Sequence, residues 1–183
     1  GGEEFTPFAN EFSGVFDGNN HTISGVCITA KSPITYQYTE SNVSVSGEAV
    51  GLFPVVTGVI KNLNVRGSMR LGEIDTYYIR AGAIAGSLSG GTIQNCHANL
   101  TWDVAIDSKY CYIGGLVGMS SFGAQIKQSS NSSDIKDTGT GATTIAGLTG
   151  GIVGWLVSFV KLRRRLKNLN KLPLPSISYL KYL

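Results

Sequence analysis

Four carboxylates, Glu73, Asp75, Asp103 and Asp107, are the residues of this 183-residue chain whose type and grouping come nearest to chemistry. Lined along one face of successive structural repeats, such a set could hold calcium or serve as paired acid and base on a sugar chain. All four fall in stretches between recurring signatures, where solvated loop carboxylates are the simpler reading. A second group is aromatic: Tyr77, Tyr78, Trp102 and Tyr110, with Tyr36, Tyr38 and Tyr112 at corresponding places. Aromatic faces beside polar groups suit sugars and protein partners, so those four are the expected ligand-binding residues. The same rings can also cap strand ends or cover a hydrophobic stack.

Other chemistry finds little footing. Cys27, Cys96 and Cys111 are odd in number and give no disulfide framework. Cys96 reads as a small core residue. His21 and His97 lack a His or Cys partner at ligand spacing, so no metal site is assigned. No HExxH, GxSxG or phosphate-binding glycine loop occurs, and no catalytic residue or cofactor is expected within the segment. Sequons at Asn20, Asn42, Asn99 and Asn131 matter only in a host that glycosylates.

The elements that would position any site are repetitive. A signature of two apolar residues framed by small ones returns as Gly51-Leu52-Phe53-Pro54, Ala83-Ile84-Ala85-Gly86, Gly115-Leu116-Val117-Gly118 and Gly151-Ile152-Val153-Gly154. First positions 51, 83, 115 and 151 are spaced by 32, 32 and 36 residues, as when one unit stacks on copies of itself. A second signature interleaves: Ile23-Ser24-Gly25-Val26, Ile60-Lys61-Asn62-Leu63, Ile93-Gln94-Asn95-Cys96 and Ile126-Lys127-Gln128-Ser129. Its third column, Gly, Asn, Asn, Gln, marks a sharp corner, because Gly and Asn accept left-handed backbone most readily. Its first column, always Ile, should face inward. The runs between are short, β-branched and bounded by Gly, Ser, Asn and Asp, and helical periodicity is lacking before residue 155. Parallel coils follow, with Leu52, Ile84, Leu116 and Ile152 as one interior stack.

Phe12-Ser13-Gly14-Val15-Phe16-Asp17-Gly18-Asn19-Asn20-His21-Thr22-Ile23-Ser24-Gly25, followed by Gly51-Leu52-Phe53, Gly114-Gly115-Leu116-Val117-Gly118 and the Ile-Lys-Asn-Leu corner, resembles the GLUG-motif repeats. The resemblance covers about residues 5 to 155 and departs from the pattern at Pro54 and Ala83. It implies a β-solenoid module of a large secreted or surface-attached microbial protein, adhesin-like or flanking an immunoglobulin A peptidase. It supplies no catalytic residues.

Charge divides the chain. Through residue 160 eight basic side chains face twelve acidic ones, a balance of −4, whereas Lys161, Arg163, Arg164, Arg165, Lys167, Lys171 and Lys181 make the tail +7. Ile145 to Val160 is nearly uncharged and precedes the basic run, so membrane contact of 145–165 is a reading, but a span of that length with four glycines fits a further coil strand better. One basic cluster without interleaved aromatics does not point to nucleic acid. The tail can be read as one more coil, since Leu166-Lys167-Asn168-Leu169 echoes Ile60-Lys61-Asn62-Leu63, as a cationic capping helix, or as a non-native extension. The absence of an opening Met and of a cationic-then-apolar leader suggests part of a longer polypeptide.

Together these features predict an all-β, right-handed parallel β-solenoid of about four to five coils over 1–158, with a basic tail, cap or extra coil over 159–183. The expected role is a non-catalytic module for adhesion or display to glycan or host protein, extracellular or at the cell surface. The alternatives are a carbohydrate-active β-helix enzyme and a structural spacer of a larger surface peptidase.

Overall fold

The computed structural model describes residues 5, 8, 11–29, 34–40, 43–72, 78–105, 110–121, 123–137 and 146–157. Strands β1 (Glu11–Phe12), β2 (Val15–Asp17) and β3 (Thr22–Thr29) precede an antiparallel pair, β4 (Ile34–Glu40) and β5 (Val43–Val50). One order then recurs. After β5 come β6 (Phe53–Val56) and the long β7 (Val59–Gly72), then β8 (Tyr78–Gly82), β9 (Ala85–Ser89) and the long β10 (Thr92–Ala105). The next turn of the coil holds β11 (Tyr110–Gly114) and β12 (Val117–Ser121), and its long strand is broken into β13 (Gln125–Lys127), β14 (Ser130–Asn131) and β15 (Asp134–Asp137). Strands β16 (Ala146–Gly150) and β17 (Val153–Val157) begin another.

Equivalent strands pair in parallel, giving a β-solenoid of three sheets. Two are short-stranded, β1-β6-β9-β12-β17 and β16-β11-β8-β5-β4, and the third is built on β7 and β10 with β2 and β3 on one side and β13, β14 and β15 on the other. Among the described strands only β4 runs antiparallel, folding over the N-terminal edge of its sheet. That covers a row of backbone groups otherwise open to unwanted strand pairing. The stretch 145–165 read for membrane contact includes β16 and β17, and among the described residues no helix is long and apolar enough to cross a membrane. The basic tail of 159–183 lies outside the described residues.

The small-apolar signature makes the corner between the two short-stranded sheets. Leu52, Ile84 and Leu116 are fully buried there, and their backbones continue the ladder, Ile84 N–H donating to Leu116 O at 3.0 Å and Leu116 N–H to Ile152 O at 3.0 Å. The closing position lies where the strand register skips a residue: Val117 pairs with Ala85 and Met119 with Ser87, leaving Gly118 and Gly86 out. A Cβ on Gly118 would stand 2.5 Å from the Ala81 nitrogen, so the backbones of the two sheets approach more closely than a side chain allows. Pro54 fits the same position because Phe53 and Val55 carry the pairing around it, and its missing N–H leaves no ladder bond unmade.

The second corner is formed by left-handed residues: Asn62 at φ 54°, Asn95 at φ 50° and Gln128 at φ 49°. Phe16, Ile60, Ile93 and Ile126 align one on another just before it. The first coil corrects the expected alignment. Asp17 pairs with Lys61 and Asn20 N–H donates to Asn62 O, so Asn20, at φ 61°, turns this corner, while Ile23 pairs with Val65 and Gly25 sits in a bulge opposite β7. Cys96 accordingly shares its column with Leu63 and not with Val26, which pairs with Gly67.

The core columns change character along the stack. Toward the N-terminus Phe8, Phe12 and Phe16 gather around Phe53 with ring centroids 4.7, 5.1 and 5.2 Å away, a plug of aromatic surface. Toward β13 to β15 the columns of Cys96, Ala98 and Leu100 are continued by Ser129, Asn131 and Ser133. Ser129 Oγ accepts Cys96 N–H at 3.0 Å and Ser133 Oγ accepts Leu100 N–H at 2.9 Å. Serine oxygens therefore replace backbone carbonyls at those two points, which is why one long strand becomes three short ones.

Candidate binding face

Burial decides which surface can meet a ligand. Every residue of β8 and β12 is buried, on both faces of the strand, and β9 is buried except at its half-buried last residue. The long sheet alternates instead. Along β10, Cys96, Ala98, Leu100, Trp102 and Val104 turn inward while His97, Asn99, Thr101, Asp103 and Ala105 are exposed. Along β7, Leu63, Val65, Met69 and Leu71 are buried, and Asn64, Arg66, Ser68 and Arg70 lie on the opposite face. Among the described residues the outer face of this sheet is thus the broad solvent-facing surface, flat and polar.

Parallel pairing sets its side chains in rows, neighbours within a row standing about 4.8 Å apart. One row runs Thr22, Asn64, His97, Ser130; the next sets Arg66 beside Asn99. A third runs Cys27, Ser68, Thr101, Asp134, and a fourth Thr29, Arg70, Asp103, Lys136. The first row is closed by its own bonds: His97 Nδ1 lies 2.7 Å from Ser130 Oγ, and Asn64 Nδ2 donates to Asn20 O at 3.1 Å. Lys136 pairs with Asp134 at 3.5 Å.

The corner beside this face carries an amide ladder. Asn95 Nδ2 donates to Asn62 Oδ1 at 2.9 Å and to Asn20 Oδ1 at 3.1 Å, and Asn62 Nδ2 donates to Asp17 Oδ1 at 2.9 Å. The Asn62 bond, the Asn19 backbone N–H and the Lys61 ammonium at 3.1 Å together hold the Asp17 carboxyl down to about 2. Each of the three amides is engaged by a neighbouring coil, so the ladder ties the coils together.

Two of the four expected ligand-binding aromatics are corrected by burial. Trp102 is 1% exposed, between Met69 and Ile135 in register, and Tyr78 is 5% exposed with its ring stacked 6.3 Å from that of Tyr112. Tyr77 lies outside the described residues, as does the side chain of Tyr110, whose backbone opens β11. The signal that would have placed Trp102 inside was present: apolar side chains at every second position from Cys96 to Val104 extend a strand through what reads as a loop. Of the carboxylates, Asp103 is exposed on the outer face, while Glu73, Asp75 and Asp107 lie outside the described residues. Among the described residues no three His, Cys, Asp or Glu side chains come together as metal ligands would. Cys96 is fully buried, its Sγ 3.2 Å from Gln94 O, and burial pushes its thiol up, which makes it inert.

No known family profile matches the chain, and no solved structure matches it. Among curated proteins it is similar to Halomucin of Haloquadratum walsbyi (strain DSM 16790 / HBSQ001), with 36% identity over 136 residues. The match takes in 71% of this chain and 1% of that protein, so the chain spans about a hundredth of the relative's length.

Proposed function

We propose that this chain is a non-catalytic repeat module of a secreted or cell-surface protein, of the GLUG type its sequence resembles, and that it displays a polar sheet face to a ligand. The observation that carries the reading is the exposed outer face of β7 and β10, where alternate side chains form straight rows on a rigid stack. Such rows repeat identical spacings along the solenoid axis, so a polymer can make many weak contacts whose effects multiply. The likeness to a small part of Halomucin supports a module within a longer polypeptide.

The test is retention of the purified chain on a panel of immobilised polysaccharides, with and without calcium, while new chain ends are assayed. Retention without chain-end release is the expected result. Release would overturn the non-catalytic reading in favour of a β-helix enzyme, and neither signal would leave a spacer role.

A further inference from the structure

The outer face is not uniformly satisfied. Next to the self-bonded row of Asn64, His97 and Ser130 lies a contiguous group whose side chains make no hydrogen bond or ion pair among the described residues: Arg66, Ser68 and Arg70 on β7, with Asn99 and Thr101 beside them on β10. Arg66 and Arg70 are exposed and point the same way. Four residues of extended strand put their stems about 13 Å apart. Asp134, in the row of Ser68 and Thr101, is paired with Lys136 at 3.5 Å and with neither guanidinium. Asp103 stands beside Arg70 in register and bounds the group with negative charge. Two free guanidiniums are notable in a body whose balance is −4, eight basic against twelve acidic side chains through residue 160.

We infer that the Arg66–Arg70 strip, with Asn99 and Thr101 alongside, binds a linear acidic polysaccharide. This deepens, and rests on, the reading of that face as the display surface. A guanidinium offers a planar pair of donors that matches a carboxylate or a sulfate ester, and two of them at a fixed distance favour a polymer whose acid groups recur along it. The Asn99 amide and the Ser68 and Thr101 hydroxyls between them can bond sugar hydroxyls. Arg66 and Arg70 lie along one strand, so the chain of sugars runs parallel to β7, with Asn99 and Thr101 of β10 at its flank and no groove required.

The experiment is affinity electrophoresis of the whole chain through gels containing polygalacturonate, dextran sulfate, neutral dextran or single-stranded DNA. Retardation by at least one acidic polysaccharide is expected. Each of Arg66→Gln and Arg70→Gln should weaken it about five- to tenfold and the pair about thirtyfold or more, as for loss of charge-assisted bonds at a solvated site. Asp103→Asn should strengthen it about two- to threefold by removing a like charge. Asn99→Ala should weaken all polysaccharide binding alike. These positions are exposed, so far-ultraviolet circular dichroism should be unchanged in every variant. Retardation by neutral dextran that survives the double arginine variant would keep the display face and sink the acidic ligand. Equal binding of DNA with equal losses in the variants would also sink it, reducing the strip to a generic polyanion patch. No retardation by any polysaccharide would overturn the display reading itself.

Discussion

Replacing Trp102 by Ala should unfold more than it unbinds. The indole is 1% exposed and lies in one column with Ile28, Met69 and Ile135, all members of or packed on the core cluster. Removing it opens a large cavity among residues held by two parallel ladders, which limits how far the site can collapse. The expected cost is about 3–5 kcal/mol. For a chain of this size each kcal/mol moves Tm by about 2–4 °C, so Tm should fall by roughly 6–20 °C. Among the described residues the indole N–H has no hydrogen-bond partner, and burying such a donor costs about 1–3 kcal/mol. Trp102→Phe sheds that penalty while losing part of the ring, and should stay within about 1 kcal/mol of the parent. The assay is urea and thermal unfolding followed by circular dichroism, with polysaccharide retention measured at a temperature where each variant is folded. Unchanged midpoints for Trp102→Ala together with lost retention would show that the ring faces ligand, and would refute the burial argument.

Gly118→Ala should cost roughly 3 kcal/mol, because its Cβ meets backbone at 2.5 Å, whereas Gly151→Ala, with nothing within 4 Å, should be neutral by the same unfolding assay. At the amide corner Asn95→Gly keeps φ 50° accessible and loses only the ladder bonds, about 1 kcal/mol, while Asn95→Ala adds a left-handed penalty of about 1 kcal/mol. An Asn95→Ala variant as stable as Asn95→Gly would contradict the corner geometry. Asp17, lowered from 3.8 to about 2, contributes stability that is full above pH 3.8 and lost as pH falls toward 2. The gap between the parent and Asp17→Asn should therefore close over that interval, and a gap constant with pH would argue against the Asn62 bond. Glu48 has the opposite sign: burial raises its carboxyl, and among the described residues its Oε2 has no hydrogen-bond partner. Its ionisation opposes folding as pH climbs above 4.5, so Glu48→Gln should be the more stable form at neutral pH by urea midpoint.

The period, the β class and the left-handed corner were legible in residue types, because each depends on local geometry. A corner needs left-handed φ, and Asn62, Asn95 and Gln128 stand where the repeat requires one. A column facing inward needs apolar side chains, and Leu52, Ile84 and Leu116 recur at a fixed spacing. Register was not legible in the first coil, since Gly25 and Asn20 both accept left-handed backbone and only pairing with Lys61 and Asn62 selects Asn20. Nor was the fate of the aromatics. An alternating strand has two faces, and composition does not say which one another sheet will cover. The three-sheet coil settled that: it buried Tyr78 and Trp102 and left the rows around Arg66, Arg70, Asn99 and Thr101 in water. Local stereochemistry thus determined the repeat unit, while exposure, which depends on what every other strand occludes, was decided only by the stack.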